Sequence, residues 1–395
     1  MKLSNLTVTG FRSFKQISWS PTNLNLIIGP NGSGKSNLLK FFDLLRQSAD
    51  GDLEDHILRE GGFERLLWDG QVDAIDTSLR FSPAEEERDV FPEDMAYHLL
   101  LKKTGFAGDY QIGMETLTSS EISPGDTEQF QYLLRTLSKA IIQNKNKDEI
   151  PYFEDFNPTE TLLSQTGTPF TKKHVSSRLQ QVISSWRIFQ SLDTTPGSII
   201  RRPVVARNDT LLAGDGHNLI SVLHTLYTTD RKFEQAITLA MIAAFGEDFD
   251  KLVFPPAADN QVQLRIRWKT LRQEQSASEI SDGTLRYLFL LTILAHPNPG
   301  SLIAIDEPEI GLHPAMMRII AEYAEQTSKK TQIIITTHSA EFLTACSDYA
   351  PSTSVIQWNE GASTIHQISE ENLTFWLQDY TLGSLFVTGE LEGME

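Results

Sequence analysis

The stretch Gly29-Pro30-Asn31-Gly32-Ser33-Gly34-Lys35-Ser36 constrains this chain more than any other. It fits the pattern G-x-x-x-x-G-K-[ST]. It follows an apolar run (Leu24, Leu26, Ile27, Ile28) and precedes Leu38, Leu39, Phe41, Phe42 and Leu45, which recur at helical spacing. A strand, a glycine-rich turn and a helix start, in that order, make an anion cradle. Glycines let successive backbone N–H groups point into one concavity, and the helix N-terminus adds the positive end of its dipole. The candidate phosphate-binding residues are Asn31, Gly32, Ser33, Gly34, Lys35, Ser36 and Asn37. Lys35 is placed to reach the β- and γ-phosphates of a nucleoside triphosphate, and the Ser36 hydroxyl to ligate Mg²⁺.

Three further motifs fit the same chemistry. Leu302-Ile303-Ala304-Ile305-Asp306-Glu307-Pro308 is an apolar strand ending in two acids, which cannot both be buried unpaired. At the carboxyl edge of a parallel sheet they face a nucleotide crevice. There Asp306 holds the metal, and Glu307 activates the attacking water as general base. Ile333-Ile334-Ile335-Thr336-Thr337-His338 is a second apolar strand ending on the same edge, where His338 can donate to the γ-phosphate. Ser281-Asp282-Gly283-Thr284 opens a helix and makes a second anion-binding terminus through Ser281 and Gly283. The Lys35 loop already holds the phosphates of its own chain, so this second terminus makes sense if it serves another subunit's nucleotide.

Strand-like runs at Ile75–Phe81, Tyr97–Lys102 and Tyr110–Leu117, separated by Gly and Pro, predict an antiparallel sheet. Residues 119–215 read as a mostly helical insertion, with helices near Gln129–Ile142 and Val175–Phe189 and a loop over Asn144–Thr168. From Asn218 to Phe245 the pattern is helical, Gln261–Trp268 alternates like a strand, and strands then alternate with helices as in a parallel α/β sheet. The division is an N-terminal lobe over 1–118, the insertion over 119–215 and a C-terminal lobe over 216–395.

Charge limits the partners. The net charge is -18, which excludes a broadly basic nucleic-acid coat. From Thr331 to Glu395 there is no Lys or Arg against nine Asp or Glu, so this part is a poor phosphate-backbone surface. Residues 1–50 carry six Lys or Arg against two Asp, and Lys102-Lys103, Lys172-Lys173 and Arg201-Arg202 are isolated basic pairs. Such short pairs read as solvated surface, and a DNA groove would have to form from residues 1–50 and the insertion. No export or membrane segment is visible, and the single Cys346 reads as a small buried hydrophobe in a reducing compartment. The expectation is a cytoplasmic protein.

Taken in order, Gly29–Ser36, Ser281–Thr284, Asp306–Pro308 and His338 resemble the Walker A, signature, Walker B and switch-histidine elements of ABC-type ATPase heads. Glu309-Ile310-Gly311-Leu312-His313 stands where such heads have a D-loop. Gly10-Phe11-Arg12-Ser13-Phe14 resembles the N-terminal strand motif of the RecF and SMC branch, in which the basic residue, here Arg12, lies near the nucleotide. The bacterial RecF-like ATPases of the AAA/OLD type are similar in Ser281–Arg286, Asp306–Pro314, Arg59-Glu60-Gly61-Gly62 and Trp376–Gly383. The stretch after His338 is too short for the TOPRIM nuclease that often follows. The chain departs from transporter heads in carrying Asp282-Gly283-Thr284 where they carry Gly-Gly-Gln, and His313 replaces their D-loop Asp. Gln111 is the candidate for a Q-loop glutamine.

The resemblance implies an α/β P-loop NTPase. It would be an ABC-ATPase head with a mixed or antiparallel N-terminal sheet lobe, a parallel-sheet catalytic core and a helical insertion. It implies ATP and Mg²⁺ as cofactors and an ATP-dependent homodimer in which two chains sandwich two nucleotides. It leaves three uses of the cycle open. One is a DNA-associated process such as repair or chromosome maintenance. The second is regulation of a separate effector protein, encoded nearby, in an anti-phage defence or toxin–antitoxin system. The third is a nucleotide-dependent scaffold with negligible turnover.

Overall fold

The computed structural model describes residues 1–88, 91, 93–105, 109–120, 128–143, 156–165 and 174–393. Among these, seven strands form an antiparallel sheet in the order Phe14–Trp19, Lys2–Phe11, Ala74–Ser82, Met95–Thr104, Asp109–Ser119, Gln131–Arg135, Ala140–Ile142. A second sheet has six described strands in the order Ala362–Gln367, Ser352–Asn359, Leu24–Ile28, Gln332–Thr336, Leu302–Asp306, Arg187–Phe189. All its pairings are parallel except the edge pair formed by Ala362–Gln367.

The apolar strands of this second sheet divide their side chains between two cores, as a period of two requires. Ile27, Leu302, Ala304, Ile334 and Ile356 join the helix Lys35–Asp50 and the antiparallel sheet in one core. Leu26, Ile28, Ile303, Ile305, Ile333, Ile335 and Val355 join the helices Leu219–Thr229, Arg231–Phe245, Asp282–Leu294 and Pro314–Ser328 in the other. With both faces covered the strands read as continuous hydrophobic runs, the pattern of a buried parallel sheet. Lys35–Asp50 lies between the sheets with Leu38, Leu39, Phe41, Phe42 and Leu45 buried. Burying each such side chain contributes about 1.5–3 kcal/mol. Trp186 packs edge-on against Phe42 with ring centroids 5.5 Å apart, so the strand Arg187–Phe189 is fixed to the same helix.

Two local expectations are corrected. Gln129–Ile142 is not a helix: Gln131–Arg135 and Ala140–Ile142 are strands that extend the antiparallel sheet. The helix expected over Val175–Phe189 ends at Ser184, and Arg187–Phe189 is the edge strand of the parallel sheet. The described part of 119–215 is therefore strand as well as helix. Part of the loop expected over Asn144–Thr168, and the Lys172-Lys173 pair, lie outside the described residues. The helical pattern over Asn218–Phe245 is two helices. Asp230 separates them, its carboxylate accepting from the Lys232 and Phe233 N–H groups as an N-cap. Among the described residues no helix is long and apolar enough to cross a membrane.

Candidate nucleotide site

The strands Leu24–Ile28, Leu302–Asp306 and Gln332–Thr336 run parallel side by side, so the turns that follow them meet at one edge. The phosphate loop leaves the first of these. Two of its glycines answer to close approach. A Cβ on Gly29 (φ 149°) would run into the Ile356 carbonyl oxygen. One on Gly34 (φ 113°) would meet the hydroxyls of Ser363 and Ser13, the latter at 2.8 Å. Gly34 is also the N-cap of the helix Lys35–Asp50.

Lys35 is 5% exposed, and its ammonium donates to the Gly29 and Pro30 carbonyls at 2.7 and 3.1 Å. Burial holds that ammonium below the usual lysine range, against the opposing pull of Glu307, Asp306 and Glu309. The Ser36 hydroxyl donates to Asp306 Oδ2 at 3.0 Å, while Asp306 Oδ1 accepts from the Thr336 hydroxyl. These hard oxygen donors, one neutral and one anionic, suit a Mg²⁺ ion that shares its remaining positions with water and phosphate.

Glu307 has φ 45°, a left-handed conformation that costs a non-glycine residue about 1 kcal/mol or more. Its N–H is held by the Thr336 carbonyl at 3.1 Å and the Thr336 hydroxyl at 3.2 Å. The turn delivers its carboxylate to His338, with Oε1 2.9 Å from Nδ1. Behind this pair lies Glu309, 6% exposed. Glu309 Oε1 accepts from the Thr337 hydroxyl at 2.6 Å and the His338 N–H at 3.1 Å, while Oε2 is buried with no partner among the described residues. Burial pushes the Glu309 carboxyl up, and those hydrogen bonds pull the other way.

The structure thus gathers Lys35, Ser36, Asp306, Glu307 and His338 on one edge. Asn37 turns aside and donates to the Ser13 hydroxyl at 2.8 Å. Asn31 and Gly32 form the exposed tip of the loop, Ser33 is buried, and the Ser363 hydroxyl bonds the Ser33 carbonyl. Arg12, also at positive φ (48°), pairs with Glu60, which lies 3.6 Å from Lys40. Gln111 is on the antiparallel sheet, in register with Lys102, away from the parallel-sheet edge. The glutamine on that edge is Gln190, directly after the strand Arg187–Phe189, where it lines a small cavity with Asp306 and Glu307. Its one sequence signal is an apolar Ile188-Phe189 pair ending in a polar residue.

Ser281 and Gly283 stand apart from this cluster. Ser281 is exposed and caps the helix Asp282–Leu294, its Oγ accepting from the Thr284 N–H at 3.2 Å. Among the described residues no bond joins Ser281 or Gly283 to the Lys35 loop. A Cβ on Gly283 would lie 2.5 Å from the Gly311 carbonyl oxygen, so the turn packs on the segment Glu309–His313. Arg201, from one of the isolated basic pairs, is a strut with a mostly buried side chain. Its guanidinium side chain is 8% exposed and donates to the Thr194, Ala277 and Ile280 carbonyls at 2.8, 2.9 and 2.8 Å. It also pairs with Asp282.

Residues 24–344 match the family described as "AAA domain, putative AbiEii toxin, Type IV TA system". An "ATP/GTP phosphatase" of Helicobacter pylori (strain ATCC 700392 / 26695) is 24% identical over 364 residues, 86% of each chain. The crystal structure of an Smc head bound to the C-winged helix domain of ScpA superposes over 95% of this chain and 100% of that one, with a TM-score of 0.58 and 13% identity. A second, from Pyrococcus furiosus, is the Smc head domain with an extended coiled coil bound to the C-terminal domain of ScpA. It covers 96% of this chain and 99% of that one at the same TM-score and identity. The architecture is that of SMC-head P-loop ATPase domains. With a family match over most of its length and the phosphate-loop edge described above, the chain belongs to this AAA-domain family of P-loop ATPases, and its fold is that of the Smc heads.

Proposed function

We propose that the protein is an ATP-driven switch, in which two chains close face to face around two nucleotides and hydrolysis reopens them. Lys35 and the N–H groups at the helix start bind the β- and γ-phosphates. Ser36 and Asp306 would hold Mg²⁺, which neutralises phosphate charge when bound. The Glu307 carboxylate orients a water for in-line attack on the γ-phosphorus and takes up its proton as the bond to the β-phosphate oxygen breaks. His338, aligned through Nδ1 by Glu307, has Nε2 free to face the γ-phosphate. The left-handed backbone at Glu307 fixes where this carboxylate points before substrate arrives, which is the purpose of strain at a catalytic residue.

The observation that carries the two-chain reading is the Ser281 turn. It is a helix start whose Ser281 is exposed, with its hydroxyl capping Thr284; Arg201 braces it from behind, and among the described residues nothing bonds it to its own phosphate loop. Such a terminus completes a neighbour's site. Glu307→Gln keeps the shape and removes the base. With ATP it is expected to bind nucleotide, to lose roughly 10²–10⁴-fold in hydrolysis and to accumulate as a dimer by light scattering. A variant that stays monomeric at saturating ATP overturns the reading.

What the cycle drives is proposed as a DNA-associated process, with residues 1–50 as the basic part of the chain. Hydrolysis stimulated by DNA, with a steep salt dependence, tests it. Control of a separate effector protein is the second reading. The family's toxin–antitoxin description and the Lys- and Arg-free stretch after Lys330 favour it, and hydrolysis indifferent to DNA supports it.

A further inference from the structure

Beside the catalytic edge lies a cavity of about 530 Å³ that takes no part in the hydrolysis described above. Three arginines line it: Arg46 on the helix Lys35–Asp50, Arg59 at the end of the helix Leu53–Arg59, and Arg187 on the edge strand. Arg46 is neutralised by Asp43 at 2.8 Å and Asp50 at 3.0 Å. The other two are not. Arg187 donates to the Ser184 and Trp186 carbonyls, both at 3.2 Å, and Arg59 to the Asp55 carbonyl at 3.2 Å. Among the described residues neither has a carboxylate within ion-pair distance. Burial pushes Arg187 below its ordinary pKa, and Arg46 adds to the push while Asp50 opposes it. A half-buried cation beside a second cation, satisfied only by carbonyls, is an arrangement that an anion from solution would stabilise.

We propose that this cavity binds a small phosphorylated molecule, with its phosphate between Arg59 and Arg187 and its uncharged part against Phe189, Leu211 and Leu212. The volume lies within the range of small-molecule sites. Planar guanidinium forks suit phosphate oxygens. A nucleic-acid strand fits less well. It would need a cationic track leading away from the hollow, and Asp43 and Asp215 line the same walls.

The cavity is joined to the catalytic edge through Gln190, which lines both this hollow and the smaller one holding Asp306 and Glu307. The Gln190 N–H donates to the Gly214 carbonyl at 3.2 Å, and a Cβ on Gly214 would lie 2.6 Å from the Ile188 carbonyl oxygen. An occupant that shifts either segment moves Gln190.

The test uses the full chain carrying Lys35→Ala, so that the phosphate loop does not take up the probe. Inorganic pyrophosphate is titrated calorimetrically at constant ionic strength. Saturable binding to one site is expected, weakened about ten-fold or more by Arg59→Gln and by Arg187→Gln. Arg59 is exposed, so its variant separates lost binding from lost folding, and circular dichroism checks both. No binding, or an affinity left unchanged by both arginine substitutions, overturns the proposal. So does a twelve-nucleotide single strand that binds through Arg59 and Arg187 where pyrophosphate does not. None of these readings requires hydrolysis or dimerisation, so the result stands apart from the two-chain switch.

Discussion

The Lys35 helix starts inside the protein, with Gly34 pressed between Ser13 and Ser363, whereas the Ser281 helix starts in solvent. The first start is braced on every side: Lys35 on two carbonyls of its own loop, Ser36 on Asp306, Asn37 on Ser13 and the Ser33 carbonyl on Ser363. The second is held by Arg201 and by the packing of Gly283 on the Gly311 carbonyl, while Ser281 and Asp282 stay exposed. Two anion-binding termini of the same chemistry therefore differ in what they have left to bind. The buried one is preorganised for a ligand held within one chain. Under the proposed two-chain switch, the exposed one meets the partner's nucleotide.

The largest test of this contrast removes the buried half. Lys35→Ala deletes the charged donor to the phosphates and should lower ATP affinity roughly 100-fold or more, measured by calorimetry. Undiminished affinity would show that the loop does not hold the triphosphate. Ser281→Arg attacks the open half. ATP should still bind the single chain, and hydrolysis should fall to the level of Lys35→Ala. Mixing the two inactive proteins should then restore part of the activity, because one of the two composite sites in a mixed dimer has both halves intact. No recovery at any mixing ratio would place both termini at a site within one chain.

Arg201 sharpens the comparison. Arg201→Met keeps the apolar stem and removes the donors to Ala277, Ile280 and Thr194 and the pair with Asp282. The front of the Ser281 turn should then wander. Hydrolysis is expected to fall about ten-fold with ATP affinity of the single chain unchanged, and thermal unfolding should drop by a few degrees. A fall in ATP affinity of the same size would mean that Arg201 supports the buried half as well.

These two halves also mark what could be read from sequence. The phosphate loop, the Asp306-Glu307 strand end and His338 are legible because each is a local pattern: an apolar strand followed by the residue the chemistry needs. At Ser281 the legible signal is a Ser-Asp-Gly-Thr turn opening a helix, and the helix Asp282–Leu294 starts there. Arg201 is not legible, since its carbonyl and carboxylate partners in the turn lie 76 to 81 residues away. The stretch Gln129–Ile142 misleads because Phe130, Leu133, Leu134, Leu137 and Ile141 fall at helical spacing. Pairing with Asp109–Ser119 overrides that spacing, as tertiary context does for strands. Arg135 is carried inward by that pairing. At 1% exposure it sits beside the buried Glu115, and its guanidinium reaches the Glu160 and Asn157 carbonyls. No period of three or four predicts a buried charge of that kind.

The smallest effect concerns Glu309, which stands behind the Glu307–His338 pair without reaching the front of the site. Its folded carboxyl is pushed above the ordinary carboxylate range by burial. Between the unfolded value, about 4.3, and the folded one, the native state holds more protons than the unfolded chain. Stability from this group is therefore present in acid and is lost as pH rises through the folded value. Glu309→Gln retains an oxygen acceptor for the Thr337 hydroxyl and the His338 N–H, and it cannot ionise. Urea unfolding of the two proteins should show the variant gaining on the wild type as pH is raised from roughly 4 toward neutrality. A difference that stays constant over that window would mean that Glu309 titrates alike in the folded and unfolded chain. Turnover of Glu309→Gln should fall less than about ten-fold, far short of Glu307→Gln, because a residue that places His338 is missed less than the one that takes the proton. Equal losses in the two variants would move Glu309 from behind the catalytic pair into it.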